Sequence, residues 1–275
     1  MKFKLIACDL DGTLLRDDST VSAENFSAIN TLVKSAVEFV VCTGRTFYEI
    51  PKELLECDDI RYIIYSDGSA AYDKKEKKQL FARYINKDTS LKLLKLLRGY
   101  DTMVEFYENR HPVTEAKKLN AKSYEYYKID EDYRPVIDMT RIGVDDLEQY
   151  VTDNNRVEIL NIFFRNAEER EACAKALQDG FDVDFTTSMD NNIEIMAKGV
   201  SKGSALKTLC EIIGIEKEYV ISAGDSKNDL TMFEFAGLSL SAGNASDSVK
   251  AHADAVVCSN NEHIVKYICD NITEV

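Results

Sequence analysis

Residues 8–13 read CDLDGT and follow directly on the apolar run FKLIA at 3–7. A strand-like segment that ends in two carboxylates one residue apart, then a glycine, admits two readings. A solvated turn is the bland one. The other is a site. Asp9 and Asp11 start on the same face of an extended backbone, and two anions placed that way repel unless a cation or a proton separates them. Gly12 lets the chain turn sharply and frees amides to face an anion. A calcium loop of the EF-hand type is excluded, because its glycine and glutamate positions, the sixth and the twelfth, hold Leu14 and Thr20.

Working outward, the strand is followed by SAENFSAINTLVKSA (22–36), where Phe26, Ile29 and Val33 share one helical face and Ser22 is the candidate N-cap. EFVVCTGR (38–45) and RYIIYSDG (61–68) read as further buried strands, with a helix restarting at Pro51 in PKELLE. Strands alternating with helices predict a parallel sheet with helices packed on it, whose function gathers at the C-terminal strand ends. DLDG, CTG and SDG all stand at such ends. From about residue 84 the texture changes. TMVEFYENR, RVEILNIFFR, FDVDFTTSM and NNIEIMAK alternate as strands, with helical stretches at LKLLKLLRG and NAEEREACAKALQ. The expected plan is a discontinuous α/β core, residues 1–83 and 188–275, carrying an inserted α+β lid at 84–187. DKKEKKQ (73–79) reads as a solvated hairpin turn.

A formal net charge of −14 disfavours nucleic acid and anionic membrane surfaces as partners, while a small phosphorylated ligand stays open because a bound cation can reverse the local sign. No run approaches the roughly 18 apolar residues of a membrane span, and no signal peptide is read at the start. Seven scattered cysteines without a C-x-x-C pair suit reduced thiols in a cytoplasm, and three well-separated histidines show no ligand spacing.

Three more stretches accompany the carboxylate pair. VVCTGR puts Thr43 and Gly44, a hydroxyl and an amide, after an apolar run; a plain strand-to-helix turn is the alternative. Cys42 and Arg45 stand too close together for a cysteine phosphatase. GVSKGSAL (199–206) sets Lys202 at a helix start, where an anion is welcome; the spacing is not that of a Walker loop. ISAGDSKNDLTMF (221–233) supplies Asp225, Asn228 and Asp229, and carboxylates four apart share one side of a helical turn, a geometry able to hold magnesium.

Together DLDGT, CTGR, GVSKG and GDSKND, in that order, resemble the four motifs of the haloacid dehalogenase superfamily. The long insert between the second and third is similar to that of the Cof-like branch of sugar-phosphate phosphatases. The likeness spans nearly the whole chain. It implies an α/β fold, a Rossmann-like parallel-sheet core with helices on both faces and an inserted α+β cap domain. It further implies Asp9 as nucleophile and metal ligand, Asp11 as general acid then base with its carbonyl at the metal, and Asp225 and Asp229 in the metal shell. Leu10, Thr43, Gly44, Lys202 and Asn228 would bind phosphate, and Mg2+ would be the cofactor. Three departures stand out: SDGSA (66–70) where relatives often show NGA, SAGNAS (241–246) for a late MGNA, and NEHIV (261–265) near the end, around Glu262 and His263.

The expected activity is magnesium-dependent hydrolysis of small phosphorylated metabolites, sugar phosphates first, through an aspartyl-phosphate. An acid role at Asp11 requires a carboxyl held protonated for the leaving alcohol. A phosphomutase and a non-catalytic phosphometabolite-binding regulator are the alternatives. The regulator would predict loss of Asp9, Asp11 or Lys202, and all three are present. Specificity is expected in the lid, whose tyrosines in VEFYENRHPV and KSYEYYKIDEDYR read as core or surface fillers.

Overall fold

The computed structural model describes residues 2–131, 133–154 and 156–273. Its strands are β1 (Leu5–Cys8), β2 (Glu38–Cys42), β3 (Ile60–Tyr65), β4 (Ala70–Asp73), β5 (Lys78–Ala82), β6 (Thr102–Glu108), β7 (His111–Glu115), β8 (Ile142–Val144), β9 (Val157–Phe164), β10 (Val183–Thr186), β11 (Asn192–Ala197), β12 (Val220–Gly224), β13 (Leu238–Ser241) and β14 (Ala255–Val256). They divide between two compact units. One comprises the chain up to Gly44, Ile50–Phe81 and everything from Ser201 on; the other comprises Arg45–Glu49 and Ala82–Val200.

The first unit is α/β. Its sheet runs β14-β13-β12-β1-β2-β3-β4-β5, parallel from β14 to β3, with β4 turned antiparallel to β3. All four residues of β1 are buried, as a central parallel strand covered on both faces must be. One face packs Leu5, Ala7, Val40, Ile64 and Val220 against Ala205, Leu206 and Leu209 of the helix Lys202–Ile213. The helix Ala23–Lys34 packs beside β2 and against the terminal helix Ile264–Asn271. Its buried stripe is Asn25, Ala28, Ile29 and Leu32, not the expected Phe26–Ile29–Val33 face. The reason is a polar contact: Asn25 Oδ1 accepts from the backbone N–H groups of Val265 (3.0 Å) and Lys266 (3.2 Å). It thereby caps the terminal helix, whose own N-cap residue His263 is left-handed (φ 63°) and makes no side-chain cap. Ser22 does cap its helix, accepting from the Asn25 N–H at 3.1 Å. Pro51 stands just ahead of the helix Lys52–Glu56. Residues 74–77 form the turn between β4 and β5, exposed at 75–77, while Asp73 is buried and Lys74 Nζ donates to Leu54 O and Cys57 O, so the stretch is solvated only at its tip.

The second unit has a six-stranded sheet, β10-β11-β9-β6-β7-β8, antiparallel except for the β7–β8 pair. One face packs Phe106, Leu160, Ile162 and Phe164 on the helices Lys87–Leu97 and Ala167–Gly180. On the other, Met103 and Phe163 meet Tyr124, Tyr127, Ile129 and Ile137, so two of the tyrosines in 122–134 are core. Asp132, within that stretch, lies outside the described residues. This unit extends beyond the expected limit at 187, because β11 pairs with both β9 and β10. A strand hydrogen-bonded on both sides belongs to its sheet, and the chain returns to the first unit at Ser201.

Candidate active site

The parallel strands of the first unit deliver polar side chains at their C-terminal ends, the edge where such sheets bind ligands. Asp9 follows β1, and its N–H donates to Ala223 O of β12 (3.0 Å), which continues the strand pairing one residue into the site. Beyond it Leu10–Leu14 forms a wide turn closed by Leu14 N–H to Asp9 O (3.2 Å) and Leu15 N–H to Leu10 O (2.8 Å). Gly12 sits at φ +71°, and a Cβ there would lie 2.3 Å from Asp225 Oδ2. Conformation and space both require glycine at this position.

Lys202 is the first residue of its helix, whose N-terminus is capped reciprocally by Ser201 and Ser204. Gly203 allows that helix to lie close to the next element, since a Cβ would come within 2.0 Å of Thr231 O. The buried ammonium Nζ then donates to Asp9 Oδ1 at 2.6 Å and Asp229 Oδ1 at 2.7 Å. Asp229 is buried, and its second oxygen accepts from the N–H groups of Asp225 (2.9 Å) and Ser226 (3.0 Å). Asp225 and Asp229 therefore do not share one side of a helical turn, as the spacing suggests. Asp225 stands in the loop after β12, and Asp229 folds back to hold that loop. Asp225 Oδ1 accepts from Thr13 Oγ1 at 3.4 Å.

The second and third strand ends are tied beyond the sheet by Thr43 N–H to Ile64 O (3.0 Å) and Asp67 N–H to Thr43 O (3.1 Å). Thr43 is fully buried, and Gly44 faces Asp67, whose Oδ1 would be 3.1 Å from an added Cβ. Asp67 itself is buried and left-handed at φ 48°, a conformation Asn and Asp tolerate better than most residues. Its Oδ1 accepts from Asn228 Nδ2 at 3.0 Å, while Asn228 Oδ1 accepts from Ser226 Oγ at 2.6 Å. Both bonds lay beyond the reach of sequence reading; the SDGSA departure from NGA was the only signal at Asp67. Asp11 is exposed, and the Gly12 carbonyl beside it accepts from Asn244 Nδ2 at 2.8 Å.

Electrostatically the cluster carries more anions than cations. Burial, reinforced by Asp229 and Asp225, pushes the Asp9 carboxyl up against the pull of Lys202. Burial, with Asp229 next in weight, raises Asp225 to about 7. Burial alone would lower Lys202, but Asp229 and Asp9 outweigh it and hold the ammonium well above its ordinary value. Asp9, Asp225 and Asp229 each offer a carboxylate oxygen within 4.8 Å of the others. An all-oxygen donor set short of positive charge fits a hard divalent cation. Asp11 contributes no side chain to this group.

The described residues include no helix long and apolar enough to cross a membrane. The family model for haloacid dehalogenase-like hydrolases matches residues 6–268. Among curated proteins, the 5-amino-6-(5-phospho-D-ribitylamino)uracil phosphatase YwtE of Bacillus subtilis is 30% identical, with 98% of each chain covered. Phosphatase YwpJ of the same organism is 27% identical over 98% of this chain and 99% of its own. Among solved structures, a haloacid dehalogenase-like hydrolase from B. subtilis superposes with a TM-score of 0.85 at 26% identity, covering 98% of this chain and 100% of that one.

Proposed function

Because the chain belongs to the haloacid dehalogenase-like hydrolases and is a phosphoric monoester hydrolase among them, we propose that it is a magnesium-dependent phosphatase of small phosphorylated metabolites, working through an aspartyl-phosphate at Asp9. The observation that carries this reading is the placement of Lys202 Nζ between Asp9 and Asp229 at 2.6 and 2.7 Å. A buried ammonium there keeps one oxygen of Asp9 fixed and pulls toward the ionised carboxylate, against the burial that favours its protonated form.

Asp9 attacks phosphorus, an Asp9 O–P bond forms, and the bond from phosphorus to the ester oxygen breaks. Asp11 donates a proton to the departing alcohol, then takes one from the water that hydrolyses the acyl phosphate, so Asp9 is regenerated and inorganic phosphate released. The exposure of Asp11 suits a group that exchanges protons at the mouth of the site. An ammonium has three donors; two are taken by Asp9 and Asp229, and the third would serve the transferring phosphoryl group. Thr43, Gly44, the Leu10 amide and Asn228 complete its cradle. Asp9 and Asp225, with Asp229 and the Asp11 carbonyl, would hold magnesium, which would offset the charge of ester and carboxylates. Asp229 acts chiefly by holding Lys202 and the Asp225 loop.

The leaving group is taken to be a sugar or polyol. The YwtE relative is named for a ribityl phosphate, and the second unit is read as the cap that closes on the substrate. Seven free cysteines suit a reducing cytoplasm. The test is turnover of a panel of sugar and polyol phosphates plus an aryl phosphate with magnesium, beside Asp9→Asn. Loss of all turnover in a folded Asp9→Asn variant is the expected result. Near wild-type activity in that variant would refute the aspartyl-phosphate.

A further inference from the structure

β3 ends in a turn of unusual backbone. Ser66, Asp67 and Gly68 all have positive φ, at 51°, 48° and 92°. Two of the three carry side chains, for which left-handed backbone is unfavourable. Such conformations persist where the surroundings over-determine them. Here Asp67 N–H donates to Thr43 O at 3.1 Å and Ser69 N–H to Ser66 O at 2.8 Å. Gly68 is pressed against the residue that precedes Lys202, for a Cβ would stand 2.2 Å from Ser201 O. The turn is thus held between the end of β2 and the start of the Lys202 helix, all within the first unit.

The turn delivers one carboxylate. Asp67 is 1% exposed and lies over Gly44, where an added Cβ would be 3.1 Å from its Oδ1. The same Oδ1 accepts from Asn228 Nδ2 at 3.0 Å, and Asn228 Oδ1 accepts from Ser226 Oγ at 2.6 Å. A carboxylate only accepts, whereas a carboxamide donates from one end and accepts at the other. Asn228 can therefore meet Asp67 with its NH2 end alone, and its oxygen is turned to the Ser226 hydroxyl. An asparagine at 67 would fill the same volume without burying a charge, which is costly. It could also meet Asn228 with either of its own ends, so the carboxamide could sit either way round. What the charge supplies is a single orientation.

We infer that Asp67 is a positioning residue of the phosphate site, fixing the Asn228 carboxamide amino end first while its turn holds the strand end at Thr43 and Gly44. One N–H of Asn228 goes to Asp67, and the other is the one the proposed reaction offers to phosphate. The inference rests on that proposed role of Asn228.

The experiment is a double-mutant cycle, read as the dissociation constant of inorganic phosphate by calorimetry with magnesium present. Wild type, Asp67→Gly, Asn228→Ala and the double variant are compared, with thermal midpoints for each. Glycine accepts left-handed backbone, so Asp67→Gly removes the side chain without straining the turn. The lost charge acts on phosphate alike whether residue 228 is Asn or Ala, and cancels in the cycle. Asp67→Gly should weaken phosphate binding by a factor about fivefold larger with Asn228 present than with Asn228→Ala, a coupling usual for residues in contact. Asp67→Asn, which keeps the shape and tolerates the same backbone, should give a smaller coupling of the same sign in its own cycle. A merely structural role would lower the midpoint and weaken phosphate equally in both backgrounds. If Asn228→Ala weakens phosphate but neither replacement of Asp67 couples to it, the inference is overturned and the proposed site stands. If Asn228→Ala binds phosphate as wild type does, the phosphate role of Asn228 falls and the inference with it.

Discussion

Replacing Lys202 by Met removes the one ammonium from a buried cluster of carboxylates, and its cost can be bounded. Lys202 is 1% exposed and donates to Asp9 and Asp229, both buried, at 2.6 and 2.7 Å. Deleting one partner of a buried pair costs about 3–5 kcal/mol when the other charge must stay. The variant has an escape, which is to take up a proton on one of the two abandoned carboxylates. At pH 7, about 3 pH units above the ordinary carboxylate value of 3.8, that proton costs about 4 kcal/mol at roughly 1.4 kcal/mol per unit. At pH 5 the same step costs only about 1.6 kcal/mol. The folded variant then holds one proton more than the unfolded chain, so its stability falls as pH rises. Wild-type Lys202, raised when folded, keeps its contribution throughout this range and loses it only above its ordinary value of 10.5. Urea unfolding of both proteins without metal, at pH 5, 6 and 7, should show the gap widening with pH to at most about 4 kcal/mol at pH 7, since burial pushes the wild-type Asp9 up and part of the same proton uptake occurs there too. A gap that is flat across pH, or below about 1 kcal/mol at pH 7, would refute the reasoning, because it would mean that Lys202 is not what balances the buried acids.

Divalent cation should stabilise the protein more at pH 8 than at pH 5.5. Asp225 titrates near 7 without metal, so protons compete with the cation below that value; thermal midpoints with and without magnesium at both pH values check this, and equal shifts would count against Asp225 as a ligand. Gly12→Ala should abolish turnover and lower the midpoint, since its Cβ would stand 2.3 Å from Asp225 Oδ2 at φ +71°; a soluble Gly12→Ala enzyme of normal activity would contradict the described turn. Asn25→Ala should cost about 1–2 kcal/mol in chemical denaturation by uncapping the terminal helix, with KM unchanged; no loss would mean that His263 or water caps it instead.

Much of the core was legible because parallel strands buried on both faces leave unbroken apolar runs, and FKLIA, EFVV and RYIIY are such runs. The haloacid dehalogenase likeness was legible for the same reason, since the motifs stand at the ends of those runs. What escaped were contacts between residues far apart in sequence. Asn25 looks like a surface residue on a helical wheel, and only the arrival of Val265 and Lys266, some 240 residues later, makes it a buried cap. Asp225 and Asp229 invite a helix because of their spacing, yet the chain uses Asp229 to accept two backbone amides and an ammonium instead.

The position of β1 in the sheet orders events during synthesis. Its neighbours are β2, made almost at once, and β12, made about 210 residues later. At about 5–20 residues per second, the edge of β1 waits on the order of 10–40 s for its second partner, with Asp9 beyond the reach of Lys202 and Asp225 for most of that time. The strands of the second sheet are all complete by residue 197, before β12 exists. A ribosome-bound chain should therefore finish the later-inserted unit first, pass through a stage with an open, apolar strand edge, and acquire its cation-binding cluster only as the last quarter of the polypeptide emerges. Chaperone demand during expression should fall on that interval, and truncations ending before Val220 should aggregate rather than fold.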